Sequence, residues 1–169
     1  MPESQIVKNM RSGLIQVIAG ANSYDVKFEE GNFSLTIPGR SVAVYRDRGR
    51  FADADHGQPM VLYDQDQEMT GTFTAYMRDV SDNSFITGPQ FITKSGLYAS
   101  SWGTTMTGAG TEAPKLVDIK WTVYGTIHGD PADHTVLCQW CYITGSLADG
   151  GPNTVSFSFS SFDVYPTVT

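Results

Sequence analysis

At 169 residues the chain is long enough for one ordinary domain, and burying roughly two-thirds of its unfolded surface supplies a core without metal or disulfide help. Hydrophobic residues at 40% exclude a disordered polypeptide, and a charged fraction of 17% argues against a long exposed helix or coiled coil. A formal charge of -7 argues against a tight nucleic-acid binder, because such binding draws most of its affinity from a basic face. The charge is uneven: residues 1–50 hold seven Lys/Arg against five Asp/Glu, leaving four against thirteen in the rest. The two parts could face each other across a self-contact. No leader or membrane anchor is expected, and the two cysteines, Cys138 and Cys141, fit synthesis in a reducing cytoplasm.

Along the chain the hydrophobic period is two almost everywhere. Residues 1–12 are charged and polar and are expected to form a flexible arm, with a single domain over 13–169. Strands are expected at 14–19, 24–28, 33–37, 42–45, 60–63 and 69–80, separated by Gly, Asn, Asp or Pro. Residues 84–95 allow at most one short helix, since Phe85, Ile86, Phe91 and Ile92 form an apolar stripe that Gly88 and Pro89 limit. From 117 to 127, Val117, Ile119, Trp121, Val123 and Ile127 alternate with polar residues, which predicts a half-buried strand. Residues 134–143 place Val136, Cys138, Trp140 and Tyr142 on one side and Leu137, Cys141 and Ile143 on the other, as in a strand buried on both faces. Val155, Phe157 and Phe159 continue the alternation before the phase slips to Phe162 and Val164, which predicts a bulge near Ser160 and Ser161. The fold class is mainly β, an antiparallel sandwich or split barrel. Residues 46–59 and 103–114 read as long exposed loops.

Candidate chemistry is sparse, and no catalytic, cofactor or metal residue is expected. Cys138 and Cys141 have a C-x-x-C spacing, but within a strand an offset of three sends side chains to opposite faces, which suits neither a shared metal nor a disulfide. His128, Asp130, Asp133 and His134 bracket a turn and read as a solvated hairpin tip. Asp64, Asp66 and Glu68 lack the glycine and remaining oxygen ligands of a calcium loop. There is no G-x-S-x-G elbow and no phosphate-binding glycine loop. Trp121 and Trp140 fall on apolar strand faces, leaving Trp102 as the one tryptophan for a sugar-stacking role.

The segment MTGTFTAYMRDVSD at 69–82, the short helical stretch and the hairpin-linked pair ending in SLADGGPNTVSFSFSSFDVYP together resemble the tail tube proteins of tailed bacteriophages. The match is one of pattern and order over residues 13–166, and it extends to the related tube protein of type VI secretion systems. The resemblance implies a non-enzymatic structural virion protein, made in the host cytoplasm, that forms hexameric rings stacked into a hollow tube for DNA passage. Its implied partners are further copies of itself, a tape-measure protein, tail terminator and baseplate proteins and, where one is present, a sheath. Net negative charge suits such a conduit, because it repels phosphates rather than trapping them.

On this reading the polar faces of two strands line the lumen through Thr70, Thr72, Thr74, Asp118, Lys120 and Thr122. The 46–59 loop, with Arg46, Asp47, Arg48, Arg50, Asp53 and Asp55, and the 2–12 arm are the candidates for contacts between rings. The rival reading is a monomeric or trimeric β-sandwich binding module, lectin-like or a virion decoration protein, with a ligand patch containing Trp102. A small hydrolase on a β-sandwich would need carboxylates or histidines gathered in a cleft.

Overall fold

The computed structural model describes residues 13–26, 32–45, 60–80, 84–102, 104–105 and 114–169. Its strands are β1 (Gly13–Ala19), β2 (Asn22–Val26), β3 (Ser34–Thr36), β4 (Arg40–Tyr45), β5 (Met60–Asp66), β6 (Met69–Tyr76), β7 (Thr104–Thr105), β8 (Lys115–Val123), β9 (His134–Ala148), β10 (Thr154–Ser161) and β11 (Thr167–Val168). Every described pairing is antiparallel. A nine-stranded sheet runs in the order β2-β1-β8-β9-β10-β6-β3, with β7 added to β8 and β11 to β9, while β4 and β5 form a ribbon of their own.

Strand alternation gives the main sheet one buried face. Ile15 and Val17, Ile119, Cys138, Cys141 and Ile143, Val155, Phe157 and Phe159, and Phe73 and Ala75 all point into a single core. Phe33, just before β3, brings its ring to 5.1 Å from that of Trp121 on β8. In a flat sheet four strand spacings would separate them by about 19 Å, so the sheet must curl. It does not close into a barrel.

Two short helices cover this face, α1 (Gly88–Thr93) and α2 (Leu97–Ser101), where the sequence allows at most one. Pro89 is tolerated because it sits in the first turn, where backbone N–H groups have no helical partner, and Gln90 accepts a hydrogen bond from the Thr87 amide at 3.1 Å. Lys94 at φ 55 ends α1, and Gly96 at φ 58 redirects the chain into α2, which lies beyond the 84–95 stretch that the sequence offered as helical. Phe91 anchors the layer, its ring meeting Tyr24, Trp102 and Tyr98 edge-on at 5.2, 5.2 and 5.8 Å.

Three further expectations change. The strand predicted through Ile127 stops at Val123, because Asp133 accepts hydrogen bonds from the Thr126 amide and hydroxyl at 3.1 and 2.9 Å and folds 126–128 into a 3₁₀ turn. Ile127 is left 65% exposed. No bulge falls at Ser160 or Ser161, since β10 keeps an unbroken register with both neighbours to its end, and the slip at Phe162 marks the strand's end.

The bulge lies instead between β8 and β9, where Val117 pairs with Cys141 and Ile119 with Cys138. Three steps on β9 against two on β8 restore the phase, so both cysteines face the core and neither points outward. The expectation of opposite faces fails for that reason. Trp140 takes the strained position at φ 55, 38% exposed, and its amide donates to the Asp118 carboxylate at 3.1 Å. Burial raises the Asp118 pKa, partly offset by that hydrogen bond.

Lys94 ties the helical layer to β9. Its ammonium donates to the Ile143 carbonyl and lies 4.8 Å from the Tyr98 ring centroid and 4.9 Å from that of Tyr142. Burial brings its pKa down to about 8. Between about pH 8 and 10.5 the folded chain therefore binds fewer protons at this group than the unfolded chain, and this contribution to stability grows as pH rises. Tyr98, pushed up to about 12 by burial, acts in the opposite sense only above its ordinary 10.0.

Two predictions follow from these contacts. Asp118→Ala, which leaves the Trp140 amide without its acceptor, should cost about 1–3 kcal/mol in urea denaturation, and Asp118→Asn should recover most of the loss. The stability difference between the parent and Lys94→Met should widen in the parent's favour as pH rises from about 8 towards 10, and parallel profiles would show that Lys94 is charged in the folded state.

Candidate functional site

The outward face of the sheet is a field of hydroxyls. On β6 it presents Thr70, Thr72 and Thr74, and on β10 Ser156, Ser158 and Ser160. The register aligns them in cross-strand rows: Ser34, Thr72, Ser158 and Thr144 form one, Thr36, Thr70 and Ser160 the next, and Thr74, Ser156 and Ser146 a third. A shallow groove of about 310 Å³ follows the first two rows. Apolar side chains fill the opposite face of the same strands, so the hydroxyl face is open because the other is spent on the core.

The same face continues across β8 and β1. Asp118, Lys120 and Thr122 point outward opposite Ile18, Gln16 and Leu14, and Gln16 donates to Asp25 at 2.7 Å. All six residues that the sequence offered as lumen candidates thus share one face, in two groups separated by β9 and β10. Charge is scarce on it: among the described strand residues it holds the carboxylates of Asp25 and Asp118 and the ammonium of Lys120. The chain's net charge of -7 is therefore not gathered on the described part of this face. The β10 serines and Thr144 and Ser146 were missed in the sequence, although V-S-F-S-F-S carried the signal in its polar positions.

The second unusual feature is the β4–β5 ribbon. Register places Val42 opposite Tyr63 and Val44 opposite Val61 on one face, exposed by 52, 71, 51 and 54%, while Leu62 on the other is 50% exposed. Arg40 and Asp66 close its base with a 2.6 Å ion pair, and the Arg40 guanidinium lies 5.5 Å from the Tyr63 ring centroid. A two-stranded ribbon is marginal in water by itself, and this one leaves its apolar residues uncovered. The loop candidates Arg46, Asp47, Arg48, Arg50, Asp53 and Asp55, and the 2–12 arm, lie outside the described residues, as do residues 103 and 106–113 of the second loop.

Among the described residues no three His, Cys, Asp or Glu side chains gather as a metal site. His134 and Asp130 pair at 3.0 Å at the hairpin tip. Both thiols are buried, and burial pushes Cys138 up to about 11 and Cys141 further, so neither carries the thiolate a nucleophile needs. Trp102, expected to be free for a ligand, is 6% exposed and packs at 5.2 Å on Phe91, whereas Trp140, expected in the core, is lifted out by the bulge. Trp102 therefore offers a ligand little surface of its own.

No family model and no curated protein matches the chain. Solved structures match its fold: the chain aligns over 100% of its length with 97% of a chain of the anti-feeding prophage (AFP) baseplate, 6-fold symmetrised, at 10% identity and TM-score 0.52. It also aligns over 92% of both chains with one from the sheath/tube terminator, in the extended state, of the PVC extracellular contractile injection system, at 10% identity and TM-score 0.50. At such identities the likeness is one of fold: this curled antiparallel sheet is an architecture shared with those two chains.

Because the hydroxyl face is open, Thr72→Lys should fold with an unfolding free energy in urea within about 0.5 kcal/mol of the parent, while Phe73→Lys, one residue away on the buried face, should abolish cooperative unfolding.

Proposed function

We propose that the chain is a non-enzymatic structural subunit of a tail or tail-like particle, assembling six to a ring, with rings stacked into a hollow tube through which DNA passes. The observation that carries this reading is the β4–β5 ribbon, whose Val42, Val44, Val61 and Tyr63 need a cover that the described part of the chain does not supply. A further copy supplies it at every subunit alike, as repeated assembly requires. The likeness in fold to chains of the AFP baseplate and the PVC sheath/tube terminator supports the setting.

In this proposal the outward sheet face is the lumen. Thr70, Thr72, Thr74, Asp118, Lys120 and Thr122 line it, joined by the β10 serines. Hydroxyls hold water, and a face poor in charge neither binds phosphate nor repels it strongly, so cargo passes without electrostatic traps. Most of the net charge of -7 then lies off the conduit. Residues 13–169 act as one domain, and the 1–12 arm and 46–59 loop, including Arg46, Asp47, Arg48, Arg50, Asp53 and Asp55, add contacts between rings. Tape-measure, terminator and baseplate proteins and a sheath would be the partners in a virion tail.

Negative-stain microscopy of concentrated protein is expected to reveal rings or tubes. Val44→Asp and Tyr63→Asp should abolish them while leaving the circular dichroism spectrum unchanged. Uniform small particles at every concentration, or variants that assemble like the parent, would overturn the reading.

A further inference from the structure

The bulge that keeps the core continuous also changes what the two cysteines can do. In a regular strand three steps would set their Cα atoms about 10 Å apart and on opposite faces, beyond the reach of a disulfide. Here Cys138 and Cys141 stand opposite Ile119 and Val117, two steps apart on β8, which brings the pair to about 6.7 Å, inside the range a bridge spans. Both side chains are buried in the core, and the Cys141 thiol turns back along its own strand to donate to the Cys138 carbonyl at 3.3 Å. The two residues between them are pinned: the Ser161 hydroxyl donates to the Gln139 carbonyl at 2.6 Å, and Trp140 is held at φ 55 by the Asp118 carboxylate.

We infer that Cys138 and Cys141 are a dithiol that closes to a disulfide across the bulge when the chain meets a small disulfide such as oxidised glutathione. The Cys138 sulfur displaces one thiol from the oxidant, Cys141 then attacks the mixed disulfide at Cys138, and the second thiol leaves. The chain gives up two protons and two electrons, and the oxidant accepts both. Cys138 goes first because burial raises its pKa less, to about 11, than that of Cys141. Attack waits for the β8–β9 ladder to part at the bulge, since both thiols are closed off from solvent in the resting fold. The bond then fastens the strained turn of β9 from the core side, as Asp118 fastens it from the outer side. A chain made in reducing surroundings and released into oxidising ones sets its core in this way after it has folded. The inference needs one copy of the chain and is independent of the assembly proposed above.

Mass spectrometry of the full chain tests it. Reduced protein, kept folded with excess oxidised glutathione at mildly alkaline pH, should lose the mass of two hydrogen atoms and stay free of covalent dimers. Chymotrypsin, cutting after Trp140, should then release fragments that separate only on reduction. The oxidised chain should unfold at a higher urea concentration than the reduced one, because the fold already holds the bridge geometry. Cys141→Ala, which removes the second thiol, should stop at one glutathione bound to Cys138. A lower urea midpoint for the oxidised chain overturns the inference, since it means that the bulge strains the bridge. Glutathione retained on both cysteines overturns it too, as do two thiols that stay free both in buffer and in urea just below the unfolding transition.

Discussion

Everything in this molecule depends on a sheet that can bury one face only. Each strand of the core spends alternate positions on Phe73, Phe157, Phe159, Ile119 and their neighbours, and the remaining positions face away because the pleat leaves them no choice. The outer surface is therefore a by-product of the core with its own composition, here hydroxyls with few charges. Phe91 and the two short helices close the inner side, and Lys94 holds that closure to β9 through a carbonyl and two tyrosine rings.

The bulge between β8 and β9 serves the same constraint. In a regular strand Cys138 and Cys141, three residues apart, would fall on opposite faces and Ile143 would be out of phase with Cys138. With the bulge the core is continuous along a strand of fifteen residues, and the mismatch is confined to Trp140, whose strained backbone is held by the Asp118 carboxylate. Asp118 thus has a structural duty on a face where the reading of the sequence gave it only a lining role.

Among the described residues, the β4–β5 ribbon is where apolar strand positions go uncovered. Isolated antiparallel pairs gain too little burial to offset the ordering of their backbone, and this pair leaves its valines and Tyr63 in water. A subunit that hides these residues against its neighbours gains stability and association from one surface.

Period-two alternation was legible residue by residue, and it located β1, β6, β8, β9 and β10 and the shared face of Thr70, Thr72, Thr74, Asp118, Lys120 and Thr122, because pleat geometry is local. Strand order, the bulge that turned Cys141 inward and Trp140 outward, the break between α1 and α2 and the burial of Trp102 were decided only by tertiary structure. Each depends on a partner distant in the chain: Asp118 across the ladder for the bulge, Phe91 for Trp102, β9 for Lys94. The exposure of the ribbon belongs to the same class, since apolar strands read alike in a sequence whether their cover comes from the same chain or from another copy.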